Sequence, residues 1–196
     1  PFLRSPTLPE PLVPILAAFV EQFEAVRRDA ADLFAGVTEA QFNWRPESGR
    51  WSMGECIAHL NRSGDVYIPR VDAMIAEAQS KGYRSQGPYK HTWLGNKFAH
   101  SVEPPPKFKA KAPKIFRPAA TAHPLDQTTA AFLRLQDDYL ARLRLANGLD
   151  LGLVRTASPV TSLIKLTLEE TFILQASHER RHLWQARNVK TALPER

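Results

Sequence analysis

The sequence predicts an all-α protein, a four-helix bundle with a long Pro/Lys-rich connection between helices two and three. Three observations carry this. Four segments repeat apolar residues near the 3.6-residue helical period. Strand-like alternation is nowhere sustained. Helix start and stop signals bracket each segment.

The first helix is expected over 11–34, where Leu16, Val20, Phe23, Val26 and Leu33 share a face and Gly36 ends the run. Pro11 and Pro14 fall at or before its first turn, where a missing N–H costs nothing. The second is expected to start after Ser52, with Glu55 three residues on completing a capping box, and to run to about Ser80. Pro69 should kink it. The third covers 125–146 and stops at Asn147-Gly148; the fourth covers 167–190.

The stretch from Lys81 to Pro124 does not fit this pattern. It holds seven of the sixteen prolines, and only a short helix near Thr92–Ala99 is expected within it. It also carries the charge. The chain has 26 Lys and Arg against 20 Asp and Glu, a net +6. Nine basic residues and one acid, Glu103, give this stretch +8, so the remainder sums to −2. Interleaved Tyr83, Tyr89, Trp93, Phe98, Phe108 and Phe116 match the mixture used by single-stranded nucleic-acid binders. A connector packing its aromatics on the bundle explains the same residues, and is favoured by the proline spacing. A third reading is a lid whose charge draws an anionic ligand to a site beneath it.

Length and composition bound the rest. At 196 residues and 43% apolar content the chain reads as one domain, 1–196, with 81–124 as a basic insertion or lid. The single Cys56 excludes an internal disulfide and is compatible with a reducing, cytoplasmic setting. The longest apolar run, Pro11 to Val20, is too short to span a bilayer. No signal peptide is expected. The chain begins at Pro1, and its natural start is left open.

The sharpest chemical feature is His178-Glu179-Arg180-Arg181-His182. Histidines at i and i+4 project to one side of a helix, close enough to share a metal ion. Thr171, Leu174 and Val189 lie on the same side, so the pair should face the interior. Two satisfied or surface histidines would be the plain alternative. The same residues fit HExxH, the zincin protease motif, but the metzincin third-His position is Asn188 and only fourteen residues follow His182. Glu179, about 100° round the helix from His178, is expected to face outward, towards Arg180, Arg181 or solvent. On the second helix, His59 could be a third ligand or a satisfied core histidine. His91, His100 and His123 could add a ligand, but nothing in their spacing requires it.

The run Trp44-Arg45-Pro46-Glu47-Ser48-Gly49-Arg50-Trp51-Ser52-Met53-Gly54-Glu55-Cys56-Ile57-Ala58-His59-Leu60 closely resembles the DinB-like (DinB/YfiT) family of metal-dependent enzymes. That family shows Pro-x-x-Gly-x-Trp-Ser before helix two, then Glu, then His one turn later. Its last helix carries an HxxxH pair, matched by His178 and His182 and followed by Leu183-Trp184-Gln185. The resemblance implies an antiparallel four-helix bundle, often a homodimer, with a divalent metal on His59, His178 and His182. Three neutral imidazoles leave a position open, and zinc, nickel and iron all tolerate such a set.

Better-studied members are thiol S-transferases or isomerases using a low-molecular-weight thiol. The resemblance therefore implies a transferase acting with a small thiol cofactor on a small-molecule substrate. A metal-dependent hydrolase is the first alternative. A non-catalytic metal-binding or nucleic-acid-binding protein is the second. Glu55 could orient His59 or simply complete the capping box, and Cys56 reads as core packing. The catalytic base is unassigned.

Overall fold

The computed structural model describes residues 11–105 and 111–194. It is mostly helical: α1 Pro14–Phe34, α2 Glu39–Asn43, α3 Met53–Ser80, α4 Trp93–Ser101, α5 Leu125–Leu145 and α6 Leu168–Thr191. A 3-10 turn at Lys114–Phe116 and a two-stranded antiparallel sheet, β1 Arg155–Ala157 with β2 Lys165–Thr167, complete it. Among the described residues no helix is long and apolar enough to cross a membrane.

Local sequence explains the helix ends. Pro14 sits in the first turn of α1. Asn147, just past α5, fixes the entry to α1 by accepting from the Val13 N–H at 3.0 Å and donating to the Pro11 carbonyl at 3.1 Å. The Ser52–Glu55 box opens α3 as expected, with reciprocal bonds of 3.1 and 3.0 Å. The same device opens α2 through Thr38 and Gln41, and α6 through Thr167 and Glu170. Gly36 and Gly148, with φ of 70° and 73°, supply left-handed turns after α1 and α5. α3 continues as one helix through Pro69, where the Arg70 guanidinium donates to the Val66 carbonyl at 2.6 Å.

α3 packs against α5 and α6, and α1 packs against the same two helices. Leu16, Phe23, Ile57, Leu60, Phe132, Tyr139, Leu143 and Phe172 fill the shared core. Phe23 stacks on Tyr139 with centroids 4.8 Å apart. Gly64 lets α5 come close: a Cβ there would lie 2.4 Å from Leu135 Cδ1. Burying side chains of this size contributes about 1.5–3 kcal/mol each, which makes this interior the main source of stability.

The basic stretch is docked rather than loose where it is described. Both carboxylate oxygens of Glu170 accept from the Thr92 hydroxyl, and Oε1 also accepts from the Thr92 N–H at 2.6 Å. Glu103 pairs with Arg180 through two bonds of 2.7 and 2.8 Å. Tyr89 and Phe116 are buried, whereas Trp93 is 77% exposed. Ala99 and Phe116 join Val66, Tyr67, Leu166 and Leu174 in a second apolar cluster. The short helix is slightly longer than the sequence predicts. The small sheet was not expected: two three-residue strands are too short for alternation to register. Phe108, Lys107 and Lys109 lie outside the described residues.

Candidate metal centre

His59 sits on α3, two turns into the helix; His178 and His182 sit one turn apart on α6. Because α3 and α6 pack directly, the three rings meet. Their centroids lie 4.9 Å (His59–His178), 4.4 Å (His59–His182) and 4.7 Å (His178–His182) apart. One nitrogen from each falls within 4.8 Å of the other two, a cluster that could hold a metal ion. His59 and His182 are buried and His178 is half-buried. Trp51, from the approach to α3, walls the cluster with its centroid 4.9 Å from His59 and 5.7 Å from His182.

The tautomer of His59 follows from its partner. Nδ1 lies 2.6 Å from the Phe116 carbonyl, which can only accept, so Nδ1 carries the proton. Nε2 is then a lone pair, and it faces His178 Nε2 at 3.0 Å. His182 Nδ1 is buried without a hydrogen-bond partner among the described residues. Gln185 lies beside that ring and favours its charged form, but makes no bond of normal geometry to Nδ1.

All three imidazoles are biased towards the neutral form. Burial lowers the pKa of His59, partly offset by the Phe116 carbonyl, and the Arg181 charge lowers it further. His178 is held well below the usual histidine range by burial, then by His59 and Arg181. His182 is held there by burial, then by His178, His59 and Arg181. Neutral imidazole is the form that binds metal. A ring nitrogen spent on a carbonyl, with the other aimed at the cluster, is the usual outer support of a metal-bound histidine. A tetrahedral zinc with bonds of about 2.0–2.1 Å needs nitrogens about 3.3–3.4 Å apart, close to the His59–His178 approach. The residues fit a divalent metal.

Other expected roles change. Glu179 does not face outward: it is 1% exposed and accepts from Gln136 Nε2 of α5 at 3.1 Å. Burial pushes its carboxyl up to about 8, against the opposing pull of Gln136 and Arg180, which favours the protonated form. Pointed into α5, it is not placed as the base of an HExxH protease. Arg180, its expected partner, binds Glu103 and Gln22 instead. Glu55 completes the capping box and takes both forks of Arg45. It is not the acceptor for His59; the Phe116 carbonyl is. Cys56 is fully buried in the core, and burial followed by the Glu55 charge raises its thiol pKa, so it is no nucleophile.

His91, His100 and His123 stay out of the cluster. His91 faces Glu169 at 3.6 Å, and His123 Nε2 faces the Ala120 carbonyl at 3.0 Å. The residues missed by sequence reading are Trp51 as a wall and Phe116, whose carbonyl accepts from His59 Nδ1 and orders it. Trp51 stood inside the quoted motif, whereas a backbone carbonyl leaves no sequence signal.

Neither curated proteins nor solved structures give a significant match. The family model of the DinB superfamily matches residues 22–186, a span that includes all three histidines. On that match, the chain belongs to the DinB superfamily.

Proposed function

We propose that this protein is a metal-dependent enzyme in which His59, His178 and His182 hold one divalent transition metal, zinc, nickel or iron. The observation that carries the reading is His59, oriented by the Phe116 carbonyl so that its Nε2 lone pair enters a buried three-histidine cluster. The four long helices are read as an antiparallel bundle forming a single domain, in which α3 and α6 bring the ligands together.

A bound divalent metal would lower the pKa of a thiol or water in its open position, supplying a nucleophile at neutral pH. The chain's own residues do the rest. Phe116 fixes the His59 tautomer, Trp51 and Phe116 exclude water from one side, and the Arg181 charge disfavours imidazolium. With Cys56 buried and Glu179 turned into α5, neither serves as nucleophile or base at the site. The attacking group must therefore be brought in, which supports a transferase using a small thiol on a small-molecule substrate, as the family resemblance implies. A hydrolase that activates water is the second reading, supported by the same lack of a protein nucleophile. We take the protein to work as a cytoplasmic homodimer, on the family resemblance and the single buried cysteine.

Elemental analysis should find close to one transition metal per chain. A low-molecular-weight thiol with an electrophile such as a haloarene should turn over, and chelation should abolish it. Turnover of esters or lactams without thiol would replace the transferase by the hydrolase. Metal retained in both His59→Ala and His178→Ala would overturn the ligand set.

A further inference from the structure

The 3-10 turn at Lys114–Phe116 has two sides. Phe116 turns inward, towards His59, while Lys114, Ile115 and Arg117 line an open groove of about 920 Å3 on the other side. α3 and the start of α5 form the rest of the groove, with Ala58, the neighbour of His59, among its lining residues.

The groove is cationic, and its two arginines are held in place. Arg62, Lys114, Arg117 and His123 line it, against one acid, Asp65. Arg62 donates Nε to the Ile115 carbonyl at 3.2 Å, and Arg117 donates Nε to the Ala112 carbonyl at 2.8 Å. Each guanidinium is thereby oriented by backbone through its Nε alone. Arg62 spends one terminal nitrogen on a loose 3.7 Å contact with Asp65. Lys114 and Arg117 make no ion pair among the described residues. The far end of the strap is also fixed: the Asn43 side chain accepts from the His123 N–H at 2.7 Å and donates to its carbonyl at 2.9 Å.

Forked donors already ordered before binding are the arrangement that recognises carboxylate and phosphate oxygens, because little side-chain freedom remains to be lost. The three cations Arg62, Lys114 and Arg117 around one concavity also repel one another, and an anion relieves that repulsion. We propose that this groove is a binding site for a small-molecule anion bearing carboxylate or phosphate groups. The assignment goes beyond the metal centre and rests on the groove's own residues. Its position puts such a ligand on the other side of the Lys114–Phe116 turn from His59.

Titration calorimetry of the full chain at low ionic strength tests this, with citrate and inorganic pyrophosphate as probes. Saturable one-to-one binding of either is expected, weakening steeply with salt. Citrate alone identifies the carboxylate source, and pyrophosphate alone the phosphate source. Arg117→Gln and Arg62→Gln should each weaken binding about tenfold. Should either fail to fold by circular dichroism, the exposed Lys114→Gln provides the same test. Arg28→Gln, on an exposed face of α1, should leave binding unchanged, and so should prior removal of any bound metal by dialysis against a chelator, which separates a failure here from a failure of the metal centre. Absence of saturable binding overturns the proposal. So does equal weakening in Arg28→Gln, which would reduce the effect to overall charge. A single-stranded oligonucleotide that displaces the probe and binds more tightly would make the groove a nucleic-acid surface instead.

Discussion

The long helices and the basic stretch between α3 and α5 solve different problems with different residues. The helices bury large apolar side chains in one core and bring three histidines together. The basic stretch is held by a few polar anchors, Thr92 on Glu170, Glu103 on Arg180 and His123 on Asn43, and by the buried rings of Tyr89 and Phe116. Yet this stretch supplies the carbonyl that fixes His59. Stability and orientation are thus divided: the core sets where the histidines are, and the strap sets how one of them is turned.

Substitutions can test that division. The largest effect is expected at the ligands, where His59→Ala or His178→Ala should reduce bound metal from near one per chain to near zero by elemental analysis. Next is the core: Phe132→Ala should cost about 3–5 kcal/mol in denaturant unfolding. Phe116→Ala should separate the two regions. It loosens the strap without touching the main core, so metal affinity should fall about tenfold with a smaller loss of stability. A large loss of stability with metal affinity intact would invert the division.

Glu179→Gln tests a buried acid through pH. The folded carboxyl is raised above its unfolded value, so its stabilising contribution is full below about pH 4.5 and is lost as pH rises towards 8. The three buried histidines contribute the opposite trend to both metal-free proteins, so the stability of wild type relative to Glu179→Gln should fall across that window. Smallest of all, Trp93→Ala on α4 should change stability within about 0.5 kcal/mol, because the ring is exposed. A larger loss would show that the basic stretch contributes more than its anchors suggest.

Much of the fold was legible because its signals are local. The Ser52–Glu55 box, the glycine after each of α1 and α5, and the start of α6 at Thr167 all follow from residues within four positions of one another. α2 was not expected: Thr38 and Gln41 repeat the capping-box spacing, but five residues make little periodicity. Glu179 was misplaced for a physical reason. Its neighbours in sequence are arginines, but its partner, Gln136, lies forty-three positions away on α5. Phe116 was counted as an aromatic of the basic stretch, whereas its carbonyl is what meets His59.

The sequence by itself determined the helical class, most helix boundaries, the family resemblance and the three histidines as candidates, because periodicity, capping and motif spacing are properties of the local chain. Tertiary structure alone decided that Glu179 is buried against α5, which tautomer His59 adopts, and that two arginines of separate segments line one groove. Burial, protonation and hydrogen-bond partners depend on groups far apart in the chain, and those are set only when the helices pack.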